Sequence, residues 1–464
     1  MLAPRLAQLA DYPLTRAQAA IWFAQQIEPT NPIYNVGEYL EIHGAIDGER
    51  FEAALNEAIQ ETEALQLRFV ERGGSPRQLI DASSDWHLRI VDVSREPNPR
   101  AAAEALMAVD LNTPLDLMRD RLFAFDLFRC AADRFLWYLR FHHILIDGFA
   151  ASLLVKRVAD VYTALASGEP YGRSPLLSFR TLLEEELRYR ASAQYTHDRE
   201  YWIQRFADGP EPVSLSSRPR TRPHGFLRHT AFLAPTVVGT LHDTARSLGA
   251  TLPQLITALT STYLSRLIGT DDVPVEVVVT ARVGALARLS TGMTSNILPL
   301  RLNLQPEITV SDVIQQVAAQ MRRMLRHQRY RGEDLRRDLG LRTDDRRLFG
   351  PLVNIMPFDY GLEFGGHRAT VHNLSNGPVD DLAIVVYDRS DTRPLRIDFD
   401  ANPALYSAEE LADHHHRFLH LLSSGVHGGE RISNIDLLRA DEREQILTAW
   451  NATAQPVPAT TLAA

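Results

Sequence analysis

The sequence is short of the residues that cross-link or membrane-embed a chain. Among 464 residues it has one cysteine, Cys130, so an internal disulfide framework is excluded. It has no run of 18 apolar residues, which excludes an ordinary membrane-spanning helix. The first seven residues are interrupted by Pro4 and do not form a signal peptide. We therefore expect a cytoplasmic protein without a membrane partner.

Lysine is also scarce, and acidic residues outnumber basic ones. The formal net charge is −9, and Lys156 is the one lysine among 49 basic residues. A nucleic-acid-binding surface needs clustered positive charge, so no nucleic-acid partner is expected. Hydrophobic residues make up 45% and charged residues 23% of the chain, which is the usual composition of a folded protein with a sizeable core.

Strand-like and helix-like segments alternate in both halves of the chain, which predicts mixed α/β architecture. Residues 135–144 form an apolar, partly alternating run that predicts a strand, and a long helical pattern begins at Gly148. The polar stretch 167–175 contains glycine and proline and is the clearest boundary signal. The last residues, from 450 onward, are rich in Ala, Thr and Pro, as linkers are.

Residues 142–148 read HHILIDG and carry the strongest chemical signal. Two adjacent histidines close an apolar strand, and an Asp-Gly pair follows before the helix. Histidine is suited to proton transfer near neutral pH. Successive strand residues point to opposite faces, so His142 and His143 cannot both face one cleft if the strand runs through them. We expect one of them to be catalytic and the other structural.

These residues also have simpler interpretations. A histidine on an apolar strand is usually a core residue, and Asp147 can cap a turn or pair with a buried arginine. No third ligand stands at metal spacing from the two histidines. The tract 413–417 (DHHHR) falls in a predicted helix, where neighbouring side chains diverge. No metal site is therefore predicted.

The pattern HHxxxDG resembles the signature of condensation domains of nonribosomal peptide synthetases, which belong to the chloramphenicol-acetyltransferase-like acyltransferases. The similarity covers nearly the whole chain. Several details are most similar to the condensation domain of the serine module of a siderophore synthetase, which suggests siderophore assembly. The further matching stretches are residues 13–18 (PLTRAQ), 63–69 (EALQLRF), 198–202 (DREYW), 296–301 (NILPLR) and 450–453 (WNAT).

The resemblance implies an α/β (α+β) fold of two chloramphenicol-acetyltransferase-like lobes. These lobes form a V-shaped pseudodimer, each is a mixed sheet flanked by helices, and a tunnel runs between them. Residues 296–301 match the stretch in which a strand crosses between the lobes. The implied divisions are an N-terminal lobe at residues 1–172, a C-terminal lobe at 173–438, and a linker toward an adenylation domain at 439–464.

The resemblance also implies an activity. The amine of an aminoacyl group on a downstream carrier attacks an acyl or peptidyl thioester on an upstream carrier, and a peptide bond forms. The implied partners are an upstream donor peptidyl carrier protein, a downstream acceptor peptidyl carrier protein and an adjacent adenylation domain. The carriers present phosphopantetheine arms, and no cofactor is expected on the domain itself.

Site residues are carried over from the same resemblance. His143 is the catalytic residue, either as a general base or as a group that orients the amine and stabilises the tetrahedral intermediate. His142 and Asp147 support the motif. Gly148, Ser295 and Asn296 are candidate tunnel residues, although hydrogen bonding at a strand end is an equal alternative for the last two.

One position departs from the family pattern. The family usually has an arginine where this chain has Gln66, and that arginine is expected to pair with the signature aspartate. Arg68 lies two residues further on, on the same face of a predicted strand. Arg68 is therefore the candidate partner of Asp147, and the sequence leaves open which arginine fills that place.

Three other functions share parts of this pattern. An epimerization domain also carries HHxxxDG, but the opening motif and the trailing linker argue against it. A free-standing acyltransferase, including one that forms esters, is disfavoured by the same linker. A catalytically silent platform that recruits carriers is disfavoured by the intact His143, since such platforms usually lose the motif.

Overall fold

Three sheets organise the part of the chain that the computed structural model describes. Two of them have six strands each and one has three. The predicted linker is described only as far as residue 454, and its remaining residues, 455–464, lie outside the described residues. The described ranges are 10–83, 86–219, 221–341, 350–356, 361–388, 394–425 and 427–454.

The strands follow the apolar patterning of the sequence. The strand Arg134–His142 is buried along almost its whole length, because it lies in the middle of its sheet with structure on both faces. In chain order the described strands are β1 (Asp11–Pro13), β2 (Asn35–His43), β3 (Leu67–Arg72), β4 (Ser75–Ile80), β5 (Arg89–Asp92), β6 (Phe123–Ala131), β7 (Arg134–His142), β8 (Leu227–Leu233), β9 (Asp272–Val279), β10 (Asn296–Asn303), β11 (Leu352–Ile355), β12 (Glu363–Phe364), β13 (His367–Ser375), β14 (Leu382–Tyr387) and β15 (Leu395–Ala401).

Most of the longer helices begin at a polar cap. Thr15, Asp47 and Asp147 each precede a helix and accept a hydrogen bond from a backbone N–H of its first turn. In chain order the described helices are α1 (Arg16–Ile27), α2 (Gly48–Glu61), α3 (Pro99–Leu111), α4 (Gly148–Ser167), α5 (Phe179–Arg190), α6 (Ala193–Arg205), α7 (Pro235–Ser247), α8 (Leu252–Ile268), α9 (Val310–Arg326), α10 (Gly332–Asp338), α11 (Ala408–Ser423) and α12 (Ala440–Glu444).

Each six-stranded sheet is mixed, as the sequence predicted. The first has the order β12-β13-β2-β7-β6-β5, and only β5 and β6 in it run parallel. The second has the order β10-β9-β11-β14-β15-β8, with β11 parallel to both of its neighbours. The three short strands β1, β4 and β3 form the small third sheet.

The first sheet is completed by a strand from far along the chain. β13 pairs with β2, so that Val371 lies opposite Leu40. The chain then continues into β14, which lies in the second sheet. The expectation that residues 296–301 cross between the lobes is therefore wrong, because β10 pairs along its length with β9 inside the second sheet. The crossing is made by β13 and the segment 376–381 that follows it.

Each large sheet has its own apolar core. Helices α2 and α4 cover one face of the first sheet, where Phe51 and Trp137 meet edge to face at 5.3 Å. Helices α8, α9 and α11 help to bury the second sheet. The beginning of the predicted linker is helical, since α12 lies within it. In the described part of the chain, no helix combines the length and apolar character that a membrane span requires.

Candidate active site at the junction of the two sheets

The HHxxxDG loop connects the end of β7 to the start of α4. His142 is the last residue of the strand, and His143 begins the turn that follows. The backbone N–H of His142 donates to the carbonyl of Leu122 at 2.7 Å, and that of His143 donates to the carbonyl of Tyr34 at 2.8 Å. These two bonds hold the backbone of both histidines in place. As predicted, the two rings have different surroundings.

His143 has the geometry of a proton acceptor. Its Nδ1 lies 2.9 Å from the carbonyl oxygen of Ile146, and because a carbonyl only accepts, Nδ1 carries the hydrogen. In the neutral ring the lone pair is then on Nε2. Burial lowers the pKa of His143, against the opposing hydrogen bond to Ile146 and the charge of Asp147. The ring is half-buried, so Nε2 belongs to a neutral, partly accessible imidazole.

His142 is enclosed and hydrogen-bonded through both ring nitrogens. It is almost fully buried, its Nδ1 accepts the N–H of Ile144 at 3.3 Å, and its Nε2 lies 3.3 Å from Oε1 of Gln25. The amide of Gln25 donates in turn to the carbonyls of Glu28, Pro29 and Asn31. Burial, with the charges of neighbouring groups, lowers the pKa of His142 to about 3. His142 therefore stays neutral and anchors the loop to α1; nothing in the sequence pattern pointed to Gln25.

Asp147 binds several donors at once. Its Oδ1 accepts the N–H of Ala150 at 2.9 Å and so caps α4. Its Oδ2 accepts the backbone N–H groups of Thr294 and Ser295, both at 2.9 Å, and Nη1 of Arg282 at 2.8 Å. Burial opposes ionisation, but the charge and hydrogen bond of Arg282 outweigh it, so the pKa of Asp147 lies below its usual range.

The partner of Asp147 is Arg282, and the prediction of Arg68 is wrong. Gln66 lies in a 3-10 turn ahead of β3 and donates to the carbonyls of Ile59 and Gln60. Position 66 therefore does not share a strand face with Arg68, whose Nη1 donates to the carbonyl of Asp120 at 3.2 Å. The aspartate receives its arginine from the loop after β9, in the other lobe.

Local backbone and stacking hold Arg282 in place. Ala281 has φ +52, a left-handed conformation that costs a non-glycine residue about 1–2 kcal/mol. The guanidinium of Arg282 lies over the ring of Phe149 at 4.8 Å and also donates to the carbonyl of Gly292 at 2.8 Å. The side chains of Arg282 and Asp147 are 1% and 2% exposed, so this ion pair is fully buried between the lobes.

The crossing segment covers one side of His143. Gly377 has φ +96, and a Cβ atom there would lie 3.2 Å from Cδ2 of His143. Its N–H donates to Oγ of Ser375, which donates to the carbonyl of Asn35 in β2. Glycine is required at this point both by the left-handed backbone and by the closeness of the imidazole.

The three predicted tunnel residues differ in their surroundings. Gly148 is exposed, and a Cβ there would meet Cε of Met356 at 3.5 Å. Ser295 is half-buried and donates its backbone N–H to Asp147. Asn296 is buried and bonds the backbone of residues 328, 330 and 332 with its side-chain amide. The structure therefore supports a bracing role for Asn296 rather than a substrate contact.

The described residues contain no group of three or more His, Cys, Asp or Glu side chains arranged to hold a metal ion. In the tract 413–417, His415 is fully buried, with its Nδ1 2.8 Å from Nδ1 of His229 and its ring stacked on Phe399. Its neighbour His414 contacts the hydroxyl of Tyr263 instead. The adjacent histidines thus diverge, as helical geometry requires.

Two mixed sheets meet at the loop that carries His142 and His143, and the buried Arg282–Asp147 pair fixes that loop, so the chain is a two-lobed α/β protein. The family model "Condensation domain" matches residues 8–447. The chain belongs to the condensation-domain family of nonribosomal peptide synthetases.

Individual relatives agree with this assignment. The chain is 45% identical over 446 residues to the dimodular nonribosomal peptide synthase of Bacillus subtilis, covering 96% of this chain and 19% of the relative. It is 31% identical over 459 residues to enterobactin synthase component F of Escherichia coli, covering 97% of this chain and 35% of the relative. The latter is the siderophore synthetase toward which the sequence pointed.

A solved structure matches over its whole length. It is a mutant of the starter condensation domain of rhizomide synthetase RzmA, in complex with C8-CoA and Leu-SNAC. The TM-score is 0.88 at 40% identity, covering 95% of this chain and 99% of that chain. The predicted mixed α/β, two-lobed fold is thereby confirmed. The curated relatives are much longer, since the chain spans about a fifth to a third of their length.

Proposed function

We propose that this chain catalyses amide-bond formation between two carrier-bound substrates. An acyl or peptidyl thioester on an upstream carrier is the donor, and an aminoacyl thioester on a downstream carrier is the acceptor. Both are presented on phosphopantetheine arms, and an adenylation domain is the adjacent partner. Siderophore assembly is the proposed setting, supported by the likeness to enterobactin synthase component F.

The observation that carries this proposal is the state of His143. Its Nδ1 is committed to the carbonyl of Ile146, and its pKa is lowered by burial, so a neutral Nε2 is available at the junction of the lobes. In the reaction the amine nitrogen attacks the thioester carbon, a C–N bond forms and the C–S bond breaks. Nε2 of His143 accepts the proton that the nitrogen loses and returns it to the departing thiolate.

The remaining site residues are assigned supporting roles. Asp147, held by Arg282, keeps the loop in one conformation, and His142 anchors it from the other side. Gly148 and Ser295 are proposed to line the path of the substrates. Holding two tethered reactants in line supplies a further part of the rate acceleration, because the entropic cost of bringing them together is already met.

We propose that the boundary between the lobes lies at residue 172, as the sequence suggested.

The test is transfer of an acyl group between loaded carriers, read by intact mass. A glycyl- or dihydroxybenzoyl-loaded upstream carrier and an aminoacyl-loaded downstream carrier are mixed with this chain or with His143→Ala. Transfer that falls at least about 100-fold in the variant supports the proposal, in line with the usual contribution of a general base. His142→Gln is the matched control, expected to retain more activity.

Other outcomes would indicate other functions. Transfer to a hydroxyacyl carrier but not to an aminoacyl carrier would identify an ester-forming acyltransferase. Binding of both carriers without any transfer, unchanged in His143→Ala, would identify a silent recruiting platform. Either result contradicts amide formation by this chain.

A further inference from the structure

A β-bulge lies in the crossing strand β13 shortly before the chain reaches His143. In the described pairing of β13 with β2, Asn373 and Ser375 have partners and Leu374, between them, is skipped. A bulge of this kind bends a strand and re-aims the residues that follow it. Gly377 follows shortly after, at the point where a Cβ atom would lie 3.2 Å from the ring of His143. The shape of the bulge therefore affects what contacts the imidazole.

An arginine of the other lobe binds the carbonyls at this bulge. Nη1 of Arg228, in β8 of the second sheet, donates to the carbonyl of Asn373 at 3.1 Å and to that of Leu374 at 3.2 Å. Nη2 of Arg396, in the neighbouring strand β15, approaches the carbonyl of Asn373 at 3.4 Å. The extra residue of a bulge has no partner in the strand ladder, so an outside donor is needed to hold it in one conformation.

Arg228 is itself held by a buried carboxylate. It lies opposite Asp400 in the pairing of β8 with β15, and its Nε and Nη2 donate to the two carboxylate oxygens, both at 2.7 Å. The side chain of Asp400 is 1% exposed and that of Arg228 is 15% exposed. The guanidinium also lies over the ring of Phe226 at 5.0 Å. The bulge is thereby fixed relative to the second sheet.

The planar guanidinium is suited to this task. Two of its N–H groups bind the carboxylate of Asp400 and two bind the backbone carbonyls, all in one fixed geometry. A lysine at position 228 would keep the positive charge, but its single ammonium group has three donors and cannot reproduce this fork. Arg228→Lys therefore loosens the bulge without leaving Asp400 far from a cation.

Short hydrogen bonds connect the bulge to the residues that contact the imidazole. Oγ of Ser375 donates to the carbonyl of Asn35 in β2 at 3.0 Å and accepts the N–H of Gly377 at 3.2 Å. The side-chain amide of Asn373 donates to the side-chain oxygen of Asn376 at 2.9 Å. A shift of the bulge is therefore transmitted to Gly377 and to the wall beside the imidazole.

We propose that Arg228 is a positioning residue for the reaction: by holding the bulge at Leu374, it sets the place of the crossing segment against the ring of His143. The inference rests on the proposed function, in which Nε2 of His143 accepts the proton of the amine. Arg228 forms no bond to a reacting atom in this scheme. Its loss therefore lowers kcat and leaves the KM of both carriers unchanged.

The experiment compares acyl transfer by Arg228→Lys in two backgrounds, the unmodified chain and His143→Ala, whose slow residual transfer is followed over hours. In the unmodified chain kcat should fall about tenfold, since a misplacement of about 1 Å can lower a rate about 100-fold, and both KM values should stay within about twofold. In His143→Ala the same replacement should lower the residual rate by less than about twofold, because no imidazole is left to position.

Arg157→Lys is the matched control. Nε and Nη2 of Arg157 bind the carboxylate of Glu61, both at 2.6 Å, and Nη2 also donates to the carbonyl of Gly172 at 3.0 Å, so the same kind of buried contact is altered away from the crossing strand. Its kcat should stay within about twofold, as expected for a site that does not couple to His143.

A second variant keeps the inference testable if Arg228→Lys does not fold. Arg228→Gln combined with Asp400→Asn leaves no unpaired charge between the strands and is tested in the same two backgrounds. Thermal melting verifies that each variant is folded before its rate is measured.

The outcomes separate the inference from the proposed function. A fall in kcat that is confined to the background with His143 supports the inference. An equal fall in both backgrounds, or a comparable fall in Arg157→Lys, would show a general structural effect and overturn it. An unchanged kcat would also overturn it while leaving the proposed function intact. Absence of amide product from the unmodified chain would overturn both.

Discussion

Arg282→Met removes the cation of a fully buried ion pair and leaves the carboxylate of Asp147 between the lobes. Removing one partner of a buried pair costs about 3–5 kcal/mol, because the other charge stays desolvated. Asp147 keeps the N–H groups of Thr294 and Ser295, which limits the loss. The carbonyl of Gly292 loses its donor as well, an effect of about 1 kcal/mol within that range.

This free energy corresponds to a measurable change in melting temperature. Lobes of roughly 200 residues lose about 2–4 °C per kcal/mol, so Arg282→Met should melt about 6–20 °C below the unmodified chain at pH 8. The matched control is Arg68→Met, the partner that the sequence suggested. Since Arg68 is half-buried and bonds one carbonyl, its replacement should cost under about 1 kcal/mol.

The loss should depend on pH with a definite sign. In the unmodified chain the pKa of Asp147 lies below the ordinary value of an aspartate, so the stability from the pair is fully present above that ordinary value and is lost as the pH falls through the folded-state pKa. In Arg282→Met the charge of Arg282 is gone, and burial raises the folded-state pKa of Asp147 above the unfolded value. Protonation then favours the folded state, so the deficit should shrink as pH falls from 8 to 5.5. The slope is at most about 1.4 kcal/mol per pH unit.

Adding Asp147→Asn to Arg282→Met removes the unpaired charge and should recover part of the lost stability. The reasoning is refuted if Arg282→Met melts within about 2 °C of the unmodified chain. It is also refuted if the deficit is the same at pH 5.5 and pH 8, since an unpaired buried carboxylate must titrate.

Three further predictions follow from the same site. Gly377→Ala should lower kcat about tenfold, because the new Cβ would displace His143. Gly366→Ala is the control and should keep the activity, since Gly366 has φ +85 but no atom lies within 4 Å of the new Cβ. Acyl-transfer rates and melting temperatures of both variants check this prediction. Asn296→Ala should lower the free energy of unfolding in urea by about 2–4 kcal/mol, because backbone groups of residues 328, 330 and 332 lose their hydrogen-bond partner. A raised acceptor KM with an unchanged free energy of unfolding would contradict a bracing role. Between pH 6.5 and 4 the unfolded chain can protonate His142, whereas the folded chain, in which the pKa of His142 is about 3, cannot, so the unmodified protein loses stability as the pH falls. His142→Gln lacks this effect and should lose less stability over the same range. An equal fall in melting temperature with pH for both proteins would contradict this prediction.

Much of the architecture could be predicted because local residue patterns indicate where strands and helices begin and end. The strand ending at His142 and the helix beginning at Gly148 follow from apolar periodicity and an aspartate cap. His142 and His143 were expected to have different surroundings if a strand ran through both, but the strand ends at His142, so the difference comes from the turn that begins at His143. The prediction of two lobes came from family motifs spread over the chain, which periodicity alone could not have supplied, and the match to a solved structure confirmed it.

The errors share a physical cause. Arg68 was chosen because it is near Gln66 in sequence, but the 3-10 turn at residues 63–66 breaks the strand alternation on which that choice depended. Residues 296–301 were expected to cross between the lobes, but an extended segment does not specify which strand it pairs with. Both predictions depended on which other part of the chain a segment contacts, and the residue pattern within the segment does not specify that contact.

The sequence by itself identified the HHxxxDG loop, with His143 as the proposed catalytic residue, and the alternation of strands and helices, because motifs, propensities, caps and periodicity act over a few residues. Only the tertiary structure brought Arg282 to Asp147 across 135 residues and placed Gly377 against His143. These neighbours arise from the packing of two sheets and one crossing strand. Long-range pairing depends on the complementarity of whole surfaces, which no local stretch of the chain encodes.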